Sequence, residues 1–155
     1  MSLLSNAADL AHGTAVALGA KAALIRGASG AGKSDLALRC IALPPLAHIP
    51  LRAELVSDDQ VRLAAKEGGI EIAPPATIAG KIEVRGLGIL TLPFRASARL
   101  ALVVDLVSPD EVPRYPLEPA SATYLGINIP LVRLAPFEPS AALKLVLALD
   151  AAPAR

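Results

Sequence analysis

A glycine-rich segment near the start of the chain has the residue types and the spacing of a phosphate-binding loop. It fits the pattern G-x-x-x-x-G-K-[ST], and its members are Gly27, Ala28, Ser29, Gly30, Ala31, Gly32, Lys33 and Ser34. Glycines allow tight turns that point backbone N–H groups at a phosphate chain, the lysine reaches the terminal phosphates, and the serine hydroxyl is a ligand for Mg²⁺. The sequence therefore predicts a site for a nucleoside triphosphate such as ATP, bound together with Mg²⁺.

Phosphoryl transfer also needs acidic residues that anchor the metal ion and orient or deprotonate the acceptor. Asp105 ends the apolar run 102–104 and has the stronger pattern of a strand-end aspartate. Asp58 and Asp59 follow a weaker apolar run, but with adjacent carboxylates one can face the metal while its neighbour faces the acceptor. The residues alone leave both places open as the catalytic carboxylate site, and they also leave open a solvated turn at the aspartate pair.

The segments around these residues indicate a strand-rich domain of mixed α/β (α+β) class. Apolar runs predict strands at 14–18 and 22–26, which form a hairpin that leads into the loop, and a helix at 35–43 follows. A strand, a loop and a helix in succession are the expected context of a phosphate loop. Along the rest of the chain we expect strands at 53–56, 60–64, 70–72 and 99–107, one or two strands bent at Pro130 within 123–134, two short apolar runs within 81–92, a long loop at 108–122, and a closing helix at 140–150.

Composition narrows the function classes. The 155 residues suit one domain, expected to span residues 1–155, and with 54% hydrophobic but only 3% aromatic residues its core must consist of Ala, Leu, Val and Ile. A formal net charge of +1 gives no electrostatic footprint for nucleic acid, and the few aromatics offer no base-stacking platform. No apolar run is long enough for a membrane span. Without a basic signal region and with one cysteine, the chain is expected to be cytoplasmic.

Three segments, taken in order, resemble the catalytic (C-terminal) domain of HPr kinase/phosphorylase. They are residues 12–16 together with the phosphate loop, residues 55–61 around the aspartate pair, and residues 82–89, I-E-V-R-G-L-G-I, which are similar to the signature of that family. The resemblance covers about residues 11–150, and the chain looks like a short bacterial form without the family's N-terminal domain. It implies a P-loop domain like the nucleotide-binding part of phosphoenolpyruvate carboxykinase, with a mixed β-sheet, a helix after the phosphate loop and a C-terminal helix.

The resemblance also implies an activity. Members of the family use ATP, or in some cases pyrophosphate, to phosphorylate a serine on HPr, a small phosphocarrier protein of the phosphotransferase system. They assemble as hexamers, and many of them also catalyse phosphorolysis of the phosphoserine. The resemblance therefore implies an HPr-type phosphocarrier as the partner and a homo-oligomer as the working form. The segment after Ile89 departs from the family pattern, so the resemblance leaves phosphorylase activity open beside the kinase activity.

Individual roles are implied by the same resemblance. Asp58 or Asp59 would take the proton of the acceptor, and His12 would hydrogen-bond the second aspartate. Ser34 and Glu83 would lie at the metal. Arg114, within the predicted loop 108–122, would match the functional arginine of a flexible loop that grips HPr.

Two other functions remain open on the residues alone. One is a small-molecule kinase or simple NTPase that uses Asp105 as its metal ligand, and the other is a non-catalytic sensor that binds a nucleotide. An ion pair between Glu83 and Arg85, which share a strand face, is a purely structural alternative to a metal role for Glu83.

Overall fold

Strands dominate the computed structural model, which describes residues 9–153. The strands are β1 (Asp9–His12), β2 (Thr14–Leu18), β3 (Lys21–Arg26), β4 (Glu54–Ser57), β5 (Gln60–Lys66), β6 (Gly69–Ala73), β7 (Lys81–Val84), β8 (Gly88–Thr91), β9 (Ala98–Leu106), β10 (Ala120–Tyr124) and β11 (Ile127–Leu134). The helices are α1 (Lys33–Ala42) and α2 (Ala141–Ala151), with short 3₁₀ turns at Ala76–Ile78 and Pro109–Glu111. Neither α-helix of this described part has the length and apolar character needed to cross a membrane.

The main sheet is mixed and is organised around β9. Its strands follow the order β1-β5-β6-β9-β3-β2-β4, and β11, which carries β10, also pairs with β9. The pairs β3–β9 and β9–β11 are parallel, and the other pairs of this sheet are antiparallel. The hairpin β7–β8 forms a separate two-stranded sheet. Because β3, β9 and β11 run in the same direction, their carboxyl ends meet at one edge of the sheet, and the phosphate loop follows the first of them.

Apolar clusters cover both faces of the main sheet. Side chains of β2 alternate between them: Val16 and Leu18 pack in the cluster under α1 and α2, while Ala15 and Ala17 pack in the opposite cluster with β5 and β6. A strand buried on both faces is expected to be a continuous apolar run, as β2 is. The helices present spaced apolar stripes to the first cluster, and their buried residues are Leu36, Ala37 and Cys40 of α1 and Ala141, Ala142, Leu145, Val146 and Leu149 of α2.

Most predicted elements are confirmed, but several boundaries differ, and the predicted bend at Pro130 is wrong because the chain turns at residues 125–126 and β11 continues through Pro130. The predicted loop 108–122 is too long, since residues 120–122 belong to β10. The strand β1 was not predicted, because three of its four residues are exposed and carry no apolar alternation. Both strands are defined by backbone pairing with β11 and β5 rather than by burial of their side chains. The predicted helix 35–43 begins two residues earlier, at Lys33.

Candidate active site

The phosphate loop connects β3 to α1 and turns through left-handed backbone conformations. Gly32 has a φ of 98°, and a Cβ at this position would lie 3.1 Å from two ring carbons of Phe137. The left-handed conformation therefore favours glycine here, and a larger residue would also have to displace the Phe137 ring by a few tenths of an ångström. The Lys33 ammonium donates hydrogen bonds to the carbonyl oxygens of Gly27 and Ala28, at 2.8 and 2.9 Å. The lysine side chain therefore lies along the loop, next to the positive N-terminal end of α1.

Asp58 follows β4 and is held beside the loop serine. Its side chain is nearly buried, with the residue 6% exposed. The Ser34 hydroxyl donates to Oδ1 at 2.5 Å, the Thr14 hydroxyl donates to the same oxygen at 3.0 Å, and the backbone N–H of Glu83 donates to Oδ2 at 2.9 Å. These donors come from α1, β2 and β7, so the carboxylate has a fixed position. A buried, hydrogen-bonded aspartate excludes the solvated turn as an interpretation of this residue.

Asp59 is the next residue, and its environment is the opposite. It has a φ of 68°, in the left-handed region that Asp tolerates better than most residues, and its side chain is exposed. Its backbone N–H donates to the Thr14 hydroxyl at 3.2 Å, and its carbonyl oxygen accepts from Gly13 at 2.9 Å. Asp59 lines a cavity of about 520 Å³ together with His12, Gly27, Ser29 and Lys33. The two neighbouring aspartates are therefore separated into a buried and an open position.

Thr14, which no motif of the sequence marks as a site residue, connects the two aspartates. It is fully buried at the start of β2, donates to the Asp58 carboxylate and accepts from the Asp59 backbone. A hydroxyl inside an otherwise apolar strand was the available signal. The preceding Gly13 has no room for a side chain, since a Cβ there would lie 2.6 Å from a Leu24 methyl carbon and 2.8 Å from the Ile25 carbonyl oxygen.

The other predicted site residues differ in how closely they approach the two aspartates. His12 ends β1 and lines the cavity with Asp59, but between residues 9 and 153 its side chain forms no hydrogen bond, so the bond expected to an aspartate is not made in this arrangement. Glu83 touches Asp58 through its backbone, while its side chain is exposed. No ion pair joins it to Arg85 in the described part of the chain. Arg114 is exposed in the segment before β10 and does not line the cavity.

The donor set at Ser34 and Asp58 fits a magnesium ion. Magnesium prefers hard oxygen ligands, keeps several waters, and is usually held by one or two carboxylates together with substrate phosphates. A hydroxyl that donates its proton to Asp58 keeps its oxygen lone pairs free for a metal. No group of three or more His, Cys, Asp or Glu side chains converges within residues 9–153, as expected for a site of this kind rather than a closed all-protein cage.

Asp105 has a structural partner. Its oxygens Oδ1 and Oδ2 accept from Nε and Nη2 of Arg26 at 2.7 and 2.9 Å, and the two residues are paired in register on β9 and β3. The Asp105 carboxylate raises the pKa of Arg26 above its ordinary value through this hydrogen bond. The guanidinium of Arg26 already neutralises the charge of this carboxylate through a bidentate pair, whereas the donors to Asp58 are neutral, so the structure does not support Asp105 as a metal ligand.

Comparison with known proteins identifies the family. The profile described as HPr Serine kinase C-terminal domain matches residues 4–152. The chain is similar to the HPr kinase/phosphorylase of Bordetella pertussis, with 38% identity over 122 residues that cover 72% of this chain and 37% of that protein. It is also similar to that of Chloroherpeton thalassium, with 32% identity over 134 residues that cover 79% of this chain and 37% of that protein.

A solved structure, that of the Hpr(Ser) kinase/phosphatase from Coxiella burnetii, superposes with a TM-score of 0.72 and 26% identity, over 90% of this chain and 86% of that chain. The predicted mixed α/β fold is thereby confirmed. The chain spans 37% of the length of the curated relatives named above. On the match of nearly its whole length to the family profile, the chain belongs to the HPr serine kinase C-terminal domain family.

Proposed function

We propose that this domain is a protein-serine kinase, which transfers the γ-phosphoryl group of ATP to a serine of an HPr-type phosphocarrier. The observation that carries the proposal is that the two neighbouring aspartates occupy different positions in the site. Asp58 lies 2.5 Å from the loop serine Ser34, while Asp59 faces the cavity that Lys33 also lines. The names of the relatives support the choice of acceptor, and the domain itself contains the loop and both carboxylates.

The phosphate loop and its lysine would bind the donor. Backbone N–H groups of residues 27–32 surround the β- and γ-phosphates, and the Lys33 ammonium exchanges its loop carbonyls for phosphate oxygens. Ser34 and Asp58 would hold Mg²⁺, which would supply positive charge to stabilise the phosphoryl group during its transfer. Glu83 is placed next to Asp58 by its backbone hydrogen bond of 2.9 Å, where a turn of its side chain would add a further oxygen ligand.

Asp59 would be the general base. The acceptor serine Oγ forms a bond to the γ-phosphorus as the bond from that phosphorus to the β–γ bridging oxygen breaks, so that ADP leaves and the serine proton moves to the Asp59 carboxylate. His12 borders the same cavity and would orient Asp59 once the acceptor is bound. Arg114 would contact the phosphocarrier from its exposed segment.

The resemblance to the family also supports a proposal for the oligomeric state and the cellular compartment. We propose a homo-oligomer, with a hexamer expected from the resemblance, in the cytoplasm. The hairpin β7–β8 offers exposed apolar side chains for such a contact, since Leu87 and Ile89 are 71% and 68% exposed. Light scattering on the purified chain tests this assembly, and a monomer at micromolar concentration would contradict it.

The activity is tested by incubating the purified chain with Mg-ATP and HPr-type phosphocarriers, followed by intact-protein and peptide mass spectrometry. We expect one phosphoryl group on a serine of the carrier. The variants Lys33→Ala and Asp59→Asn should lose this transfer, whereas Asp150→Asn, an exposed carboxylate at the end of α2, should retain it. If the unaltered protein phosphorylates no carrier, the proposed kinase function is wrong, and nucleotide binding without turnover would favour a sensor.

A further inference from the structure

A second cavity borders the phosphate loop and has no role in the mechanism above. Its volume is about 650 Å³, and it is lined by Ala31 of the loop, by the segments 106–109 and 135–139, and by Glu111. These segments contain Leu106, Val107, Phe137 and several prolines, so the walls are mostly apolar. Cavities of this size with apolar walls are typical of sites for small organic ligands.

The place of this cavity in the fold suggests a nucleotide. One segment begins with the last residue of β9 and the other follows β11, while Ala31 belongs to the loop after β3. These are the three parallel strands, and ligands of α/β sheets bind outside the carboxyl ends of such strands. The phosphate loop itself contributes Gly27, Ser29 and Lys33 to the cavity of Asp59 and Ala31 to this one. A molecule whose phosphates occupy the first cavity can therefore extend past the loop into the second.

One aromatic ring lies between the phosphate loop and the second cavity. Phe137 is 72% exposed, and its Cε1 and Cζ atoms lie against Gly32 of the phosphate loop, 3.1 Å from where a Cβ would be. Aromatic rings bind nucleobases by stacking, whatever the sequence of the base. A single aromatic ring is enough to stack on a single base.

Hydrogen bonds anchor the backbone on both sides of Phe137. Arg39 of α1 donates hydrogen bonds to the carbonyl oxygens of Pro136 and Glu138, on either side of Phe137. Its Nε also donates to Asp35 one turn earlier on the same helix, at 2.9 Å. The guanidinium thus ties the backbone of the segment 135–139 to the helix that begins at the phosphate loop.

We propose that this cavity binds the nucleoside of the phosphoryl donor, with its base stacked on Phe137 and with Arg39 as the positioning residue for the ring. The inference rests on the proposed kinase function and deepens it, because it separates ATP from pyrophosphate as the donor. A base-free polyphosphate can fill the phosphate loop but gains nothing from the second cavity. The domain should therefore bind a nucleoside triphosphate more tightly than tripolyphosphate.

Calorimetric titrations with Mg-ATP and with Mg-tripolyphosphate test the inference. In Phe137→Ala we expect the Kd for ATP to rise about tenfold, in line with the loss of one base–aromatic stack, while the Kd for tripolyphosphate stays within about twofold. Leu147→Ala, on the outer side of α2 and outside the cavity lining, is the control and should change neither. Arg39→Ala should show the same base-dependent loss, and Arg39→Lys should partly restore ATP binding, since lysine can still donate to the two carbonyls.

The outcomes separate the inference from the proposed function. If ATP and tripolyphosphate bind equally well to the unaltered protein, or if Phe137→Ala weakens both equally, the nucleoside site is wrong while the kinase function stands. If neither ligand binds the unaltered protein, both are wrong.

A second measurement leaves Phe137 in place. The chain contains two phenylalanines, Phe94 and Phe137, so incorporation of 4-fluorophenylalanine gives two ¹⁹F resonances, which Phe94→Leu assigns. We expect Mg-ATP to shift the Phe137 resonance and Mg-tripolyphosphate to leave it nearly unchanged. Identical spectra with the two ligands would overturn the inference.

Discussion

At the scale of single residues, the site depends on two neighbouring carboxylates with different surroundings. Asp58 accepts three hydrogen bonds and is nearly buried, whereas Asp59 is exposed in the cavity. We expect Asp59→Asn to lower kcat by about 10²–10⁴-fold, the usual contribution of a general base, with little change in ATP affinity. Asp58→Asn should instead raise the Mg²⁺ concentration needed for half-maximal activity. Steady-state kinetics at varied ATP and Mg²⁺ measures both effects.

The control for this pair is Asp150→Asn, whose carboxylate lies at the far end of α2. Its kinetic constants should match those of the unaltered protein. The assignment would be reversed if the Mg²⁺ requirement changed in Asp59→Asn and the kcat defect with normal Mg²⁺ dependence appeared in Asp58→Asn.

The residue types of the site could be predicted from the sequence, but which aspartate is buried beside Ser34 and which faces the cavity could not. The loop pattern and the adjacent aspartates are local signals. Which aspartate meets Ser34 depends on the left-handed backbone at Asp59 and on donors from Thr14 and Glu83, which only the folded sheet brings together. Asp105 had the better strand pattern, and only the neighbouring position of Arg26 in the sheet shows that its carboxylate is already paired.

At the scale of elements, buried strands could be predicted from the sequence more readily than exposed ones. The strands β2, β3 and β9 are rich in buried apolar residues, so the pattern of apolar residues is sufficient to predict them. The strands β1 and β10 bury at most one residue each, and backbone pairing determines them, for β1 with the distant strand β5 and for β10 with β11, which follows it in a hairpin. The segment 135–139 carries no motif, and its place beside the loop follows from the parallel pairing of β11 with β9.

The contact between α1 and α2 gives a prediction at this scale. Cys40 is fully buried there, and burial raises the pKa of its thiol to about 12. The thiol is therefore protonated at pH 8 and should not react with a disulfide reagent within minutes, although it is the only cysteine in the chain. In urea, which separates the helices, it should react fully.

The pKa shift also sets a direction for stability. The unfolded thiol ionises near pH 9 and the folded thiol near pH 12, so the unfolded state binds fewer protons between these values and the free energy of unfolding falls as the pH rises through this window. Cys40→Ala should remove this part of the pH dependence. Rapid modification of the folded protein at pH 8 would show that the helices separate easily.

At the scale of the whole molecule, the proposed donor site is assembled from distant parts of the chain. Its residues come from the end of β1, the loop between β3 and α1, and the turn after β4, with β7 behind them. An unfolded chain cannot present these groups together, so a ligand of the site binds only the folded state. Binding of Mg-ATP must then stabilise the entire domain rather than the loop alone.

A thermal shift measures this coupling. At a ligand concentration of about 100 times Kd, the stabilisation is about 2.7 kcal/mol, which for a domain of this size raises Tm by about 5–10 °C. In Lys33→Ala the shift should be largely lost, because the ammonium that meets the terminal phosphates is gone, whereas Lys66→Ala, an exposed lysine on β5, should keep it. A shift of equal size in Lys33→Ala would place the nucleotide elsewhere on the molecule, and MgCl₂ without nucleotide shows how much of the effect comes from the metal alone.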